Sequence, residues 1–161
     1  MTLVFNASPL IVLAKAGLLD QFVGLGEKVM VPQSVADEIT RVDDPADPAR
    51  VWIAQPSSSG MINAVPPILP FVAAWDLGVG ESAVITLTQG TPGACAVIDD
   101  LAARHCCQAM RLKVTGTLGL ILMAKKQGVI PSASDALEAV IAAGLYIAPK
   151  HVTAIRAAAG E

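Results

Sequence analysis

The chain has little of what a passive nucleic-acid binder relies on. Only 4% of its 161 residues are aromatic, and the formal net charge is −3, with 11 Lys and Arg against 14 Asp and Glu. It therefore offers neither a stacking platform nor a basic face that could follow a phosphate backbone. An enzyme that borrows a cation is not excluded, because a bound metal supplies positive charge where a phosphate would sit.

Cysteine is scarce as well. Cys95, Cys106 and Cys107 are an odd number, two of them adjacent, so they form no disulfide framework. His105 directly precedes Cys106 and His151 stands alone, and neither gives a usual zinc spacing with the cysteines. The cysteines read as core or helix-face residues in a reducing compartment, and the expected location is cytoplasmic. Long apolar runs are also missing. Gly, Pro or a charge interrupts every stretch before the roughly 18 residues a membrane span needs, so no membrane partner is expected. The opening Met1-Thr2-Leu3-Val4-Phe5-Asn6 has no basic start, and no signal peptide is read from it.

What is present is apolar and segmented. A hydrophobic fraction of 53% and a mean hydropathy of +0.58 favour a sheet covered by helices on both faces. The length suits one domain, 1–161, able to bury roughly 70% of its unfolded surface. Strands are expected at Thr2 to Phe5, Lys28 to Val31, Cys95 to Ile98 and Leu112 to Val114, with a short edge strand at Met61 to Val65. Helices are expected from Ser8 (as N-cap, with Pro9 in the first turn), from Leu18, from Pro32 and from Pro70. Further helices should begin near Gly80, after Asp100, at Leu118, at Ser132 and at Pro149. Val42 to Pro48 and Ser57 to Gly60 read as loops. Strands alternating with helices imply crossover units and a mostly parallel sheet, whose ligands collect at the carboxyl ends of the strands.

Polar residues stand at those ends. Asn6 follows the first strand, Asp99 and Asp100 follow the 95–98 strand, and Thr115 to Thr117 follow the 112–114 strand. Glu38 lies on the helix after the second strand, and Glu81 in the first turn of its own. Taken singly, each has a plain structural explanation: Asp100 and the threonines as caps, Glu81 as the partner of a helix dipole. Gathered in one cleft, Glu38, Glu81, Asp99 and Asp100 offer the hard oxygen ligands that Mg²⁺ or Mn²⁺ prefers. A competing pattern is G-x-G-x-x-A at Gly78 to Ala83, with Asp99 about twenty residues on, as in a dinucleotide site. The preceding Phe71 to Leu77 does not read as a buried strand, however, and Glu81 would repel a pyrophosphate at the helix start. An aspartyl-phosphate mechanism after the first strand fails because Asn6 cannot form an acyl phosphate.

Five short stretches occur in order: Val4-Phe5-Asn6-Ala7-Ser8-Pro9-Leu10, Val31-Pro32 followed by Glu38, Gly78-Val79-Gly80-Glu81, Val97-Ile98-Asp99-Asp100, and Gly116-Thr117-Leu118-Gly119. Over about Leu3 to Gln127 the chain thereby resembles a PIN-like subfamily of prokaryotic nucleases. The resemblance implies a three-layer α/β/α fold with a mostly parallel central sheet. It also implies an endoribonuclease using Mg²⁺ or Mn²⁺, often the toxin of a toxin–antitoxin pair. An RNA substrate, an antitoxin protein and a homodimer are the partners it implies, the last expected through the helices around Leu10 to Leu19 and Leu118 to Met123. The acidic positions of the family fall on Asn6, Glu38, Glu81 and Asp100, with Asp99 beside them and Glu38, Glu81 and Asp100 as metal ligands. Ser8 corresponds to the hydroxyl that follows the first acid, and Thr115 and Thr117 are candidates for substrate contact. The departure is Asn6, where the family usually has Asp. It leaves a catalytically weak or inactive PIN-fold binding module as the alternative.

Overall fold

A computed structural model describes residues 1–161. Strand β1 (Thr2–Phe5) leads through helices α1 (Ala7–Lys15) and α2 (Leu19–Val23) to β2 (Lys28–Pro32). Helices α3 (Gln33–Thr40), α4 (Pro48–Ile53) and α5 (Pro56–Ser59) precede β3 (Ile62–Asn63). Then come α6 (Pro70–Ala73), α7 (Val79–Gln89), β4 (Cys95–Val97), α8 (Leu101–Ala109) and β5 (Lys113–Thr115). Helices α9 (Thr117–Lys126), α10 (Ala133–Ala142) and α11 (Pro149–Ala159) complete the chain.

The five strands form one all-parallel sheet in the order β3-β2-β1-β4-β5. Each parallel pair needs a crossover, and helices supply it, giving the three-layer α/β/α arrangement. Because both faces are covered, the strands do not alternate. Leu3, Val4 and Phe5 are fully buried, as are Ala96 and Val97 in β4. Val4 pairs with Met30 on one side and Ala96 on the other, so β1 is the central strand. From it the chain builds outward through β2 and β3, then returns to add β4 and β5 on the opposite side. The order reverses between β1 and β4, which places the expected ligand crevice at their carboxyl ends. There the Asn6 amide donates to the Val97 carbonyl at 3.0 Å.

Several expected boundaries move. Ser8 does not cap α1: the N-cap is Asn6, which makes no side-chain cap bond, and Ser8 lies exposed in the first turn. Pro32 ends β2 and serves as the N-cap of α3 rather than opening it. Ser57 to Ser59 are not loop but part of the short α5, because the buried Ser58 hydroxyl is satisfied by the carbonyls of Trp52, Ile53 and Gln55. Strand β3 keeps only two of its five expected residues, and β5 begins one residue late. Helix α9 begins at Thr117 with Gly116 as its N-cap, so neither Thr115 nor Thr117 caps it through a side chain. Gly17, at φ +69°, provides the left-handed turn after α1. Gly78 to Gly80 follows α6 and not a strand, unlike a dinucleotide-binding turn.

The three cysteines are free and buried in the core. Burial pushes the Cys107 thiol up to about 12, which leaves it unreactive. Leu10, Leu13, Leu120 and Ile121 are also fully buried within the chain. Much of the apolar surface on α1 and α9 expected to drive self-association is therefore used by the chain's own core. No helix is long and apolar enough to cross a membrane.

Candidate active site

Asn6 leaves β1 and enters the switch-point crevice, 3% exposed. Its side chain does not cap α1. Instead its Nδ2 donates to Glu81 Oε1 at 3.0 Å. Its Oδ1 is buried and has no hydrogen-bond partner. A buried acceptor left in that state costs about 1–3 kcal/mol, so its retention calls for an explanation.

Glu38 completes this side. A Cβ added to Gly80 would meet Asn6 Oδ1 at 3.0 Å and Glu38 Oε2 at 3.1 Å. Both oxygens therefore face one point beside the first turn of α7, and a side chain at residue 80 would crowd both. A side chain at Gly78 would likewise run into the Glu81 carboxylate. Partial desolvation raises the Glu38 pKa, the Glu81 carboxylate raises it further, and Arg41 opposes both. The cleft here has a volume of about 450 Å³ and carries Ser34 and Glu38 from α3, Arg41 at its C-cap, and Gly80 and Glu81 from α7. Ser34, Glu38 and Arg41 stand at i, i+4 and i+7, one face of one helix.

Asp99 and Asp100 behave differently. Asp99 Oδ1 accepts from the Thr117 amide at 2.7 Å, and its Oδ2 accepts from the Thr117 hydroxyl at 2.7 Å. Thr117 is fully buried, so this carboxylate ties β4 to the start of α9. Asp100 is the N-cap of α8, its Oδ1 accepting from the Ala103 amide at 2.8 Å, as the plain reading of that residue expects. That bond occupies one of its two oxygens. No three His, Cys, Asp or Glu side chains come together as a metal cluster. Asn6, Glu38 and Glu81 meet; Asp99 turns to Thr117 and Asp100 to its own helix. Exposed Ser8 shares with Glu38 a separate hollow of about 250 Å³. The Thr115 hydroxyl has only a long contact, 3.4 Å, to the Gly116 carbonyl.

Four contributors have no role that the sequence analysis assigns. Gly80 matters only once α7 is seen against Asn6, for which the sequence holds no signal. Arg41 and Ser34 were accessible through their helical spacing from Glu38. Arg104, whose Nη1 donates to the Ile98 carbonyl at 3.1 Å, sits one helical turn beyond Asp100.

A family model described as a PIN domain matches residues 2–161. No curated protein and no solved structure matches the chain.

Proposed function

The chain belongs to the PIN domain family, whose members are generally nucleases, and from that premise we propose that it is a metal-dependent endoribonuclease hydrolysing RNA phosphodiesters. The observation that carries this reading is the buried Asn6 Oδ1, unpartnered and facing Glu38 while Glu81 is held on the same amide. An unanswered acceptor beside two carboxylates is the chemistry of a cation site, so these residues fit Mg²⁺ or Mn²⁺.

In this reading Glu38 and Glu81 would hold the ion, and Asp100, which caps its own helix, would have to turn toward them the oxygen its cap bond leaves over. When bound, the metal would polarise the phosphodiester and lower the pKa of an attacking water. Asn6 contributes an amide oxygen without charge and, through Nδ2, fixes the orientation of the Glu81 carboxylate. Asp99 acts on the site by anchoring α9 through Thr117. Since Thr117 is buried and engaged, Ser8 and Thr115 are the hydroxyls left for substrate. A toxin role, with an antitoxin partner and a homodimer in the cytoplasm, extends the same proposal. It has no feature of the fold behind it beyond the family.

The second reading, a PIN-fold binding module without catalysis, draws on the neutral Asn6 and on the cap bond of Asp100. Incubation of mixed RNA with the purified chain and Mn²⁺, beside Glu81→Gln, separates the two. Metal-dependent cleavage by the wild type and its loss in the variant are expected. Equal cleavage by both, or none by either with the protein folded, would end the nuclease reading.

A further inference from the structure

A second cavity, of about 390 Å³, opens at the carboxyl end of β5, between α8, the start of α9 and α11. It belongs to none of the acidic groups that meet at Asn6. Its walls combine the apolar side chains Leu101, Leu118 and Ile155 with the planar groups of Arg104 and His151, with Thr115, and with the Asp99 carboxylate, whose two oxygens are already engaged by Thr117. Leu101 is 64% exposed, an unusual position for a leucine at the rim of a polar crevice. The Arg104 guanidinium takes part in none of the chain's ion pairs. Of its five N–H donors only one is engaged, on the Ile98 carbonyl. A half-buried, unpaired guanidinium beside an apolar wall is complementary to a group with one flat apolar face and one anionic edge.

The backbone is shaped around that group. A Cβ on Gly116 would meet Asp99 Oδ1 at 2.7 Å, Arg104 Nη1 at 2.9 Å and the Ile98 carbonyl at 3.2 Å. One on Gly119 would collide with the Thr115 hydroxyl. Two glycines thus let α9 start close against β5 while leaving Arg104 and Thr115 at the cavity wall. The acidic group sits at the end of β1 and this cavity at the end of β5, two strands away, or roughly 10 Å at the usual interstrand spacing.

We propose that this cavity is a subsite for one nucleotide of single-stranded RNA, its base packed against Leu101, Leu118 and the His151 ring and its phosphate on Arg104. Bases stack on aromatic rings and guanidinium planes without a basic surface, which suits a chain with net charge −3. The inference deepens the nuclease reading: a strand seated here is held on a line that leads to Asn6, Glu38 and Glu81. It explains how an acidic, aromatic-poor chain retains its substrate.

The test is binding of a 2′-O-methylated, cleavage-resistant oligoribonucleotide in EDTA, followed by fluorescence anisotropy. Wild type, His151→Glu and Leu101→Glu are compared with Thr153→Glu, which makes a like substitution on the exposed surface of α11 outside the cavity. His151 and Leu101 both lie in first turns of helices, where a carboxylate is tolerated. The expected result is weakening by roughly fivefold or more for His151→Glu and Leu101→Glu, the range of one lost stacking contact. Thr153→Glu should change affinity by less. No binding by the wild type, or equal effects of all three substitutions, overturns the subsite. The nuclease reading is scored separately by Mn²⁺-dependent cleavage. Cleavage with an unchanged KM in His151→Glu sinks the subsite alone, whereas subsite binding without cleavage sinks the nuclease alone.

Discussion

On one side of the crevice Asn6, Glu38 and Glu81 meet with two like charges and a buried acceptor that nothing answers. On the other side, beyond β4, both oxygens of Asp99 are answered by one threonine at 2.7 Å. Similar residue types at the ends of adjacent strands thus serve opposite purposes. The first side is less stable than it need be without a ligand, and the second is complete without one. Unsatisfied polar groups in a folded chain mark where binding free energy is to be gained, and satisfied ones mark where the fold is held.

The largest effect that would break this contrast comes from Glu81→Gln. A glutamine keeps an oxygen to accept from Asn6 Nδ2, so the fold should persist while one charge leaves the site. RNA cleavage with Mn²⁺ should fall by more than the roughly 10–100-fold typical of groups that only orient a ligand. If the variant retains wild-type cleavage rates, the Asn6 side is not the reactive one.

Asp99→Ala tests the other side, and there the loss should be structural. It removes two hydrogen bonds to a carboxylate and leaves the buried Thr117 hydroxyl and amide without partners. A destabilisation of about 2–3 kcal/mol is expected, read as a lower urea midpoint at unchanged m. Cleavage under folded conditions should drop less than in Glu81→Gln. A variant as stable as the wild type would show that Asp99 does not anchor α9.

The two sides also differed in how far the sequence disclosed them. Strands β1 and β4 were legible because fully apolar runs end abruptly in Asn6 and in Asp99-Asp100, the pattern of buried parallel strands. Asp100 as a cap followed from position alone. The meeting of Glu38 with Asn6 was legible only through the family resemblance, because it depends on β2 lying beside β1, and neighbour order in a parallel sheet leaves no local trace. Ser58 was misread for a related reason: three serines suggest a loop, but its hydroxyl is buried against Trp52 and Ile53 carbonyls that only packing supplies. Ser8 was assigned the cap because it precedes Pro9, and Asn6 took the position instead, since the chain turns directly after β1.

Asn6→Asp sharpens the comparison by adding charge where charge is already crowded. The substitution replaces the Nδ2 donation to Glu81 with repulsion between carboxylates, so in EDTA the variant should be less stable by about 1–2 kcal/mol. Mn²⁺ should reverse the order, since a ligand at a hundred times its Kd contributes about 2.7 kcal/mol. Thermal midpoints with EDTA and with Mn²⁺, beside an RNA cleavage assay, check both directions. A variant destabilised equally with and without Mn²⁺ would remove the cation site from the Asn6 side.

The smallest expected effect belongs to Glu38, and its sign is the informative part. Desolvation first, and the Glu81 charge second, raise its pKa above the ordinary 4.5. The folded chain then holds a proton on Glu38 at pH values where the unfolded chain has released it, so stability falls as pH rises through that window. Below 4.5 both states are protonated and the penalty is absent; above the raised folded value it is complete. Glu38→Gln removes it, and near neutral pH the variant should be more stable than the wild type in EDTA. Because Glu38 is largely exposed, solvent screening keeps the gain below about 1 kcal/mol, and added salt should shrink the share due to Glu81. Urea midpoints of the two proteins should therefore converge as pH falls below the ordinary glutamate range and separate as it rises. A Glu38→Gln variant less stable than the wild type near neutral pH, with the difference vanishing on acidification, would mean that Glu38 is stabilised as a carboxylate, by Arg41, and that the two sides of the crevice are more alike than their geometry indicates.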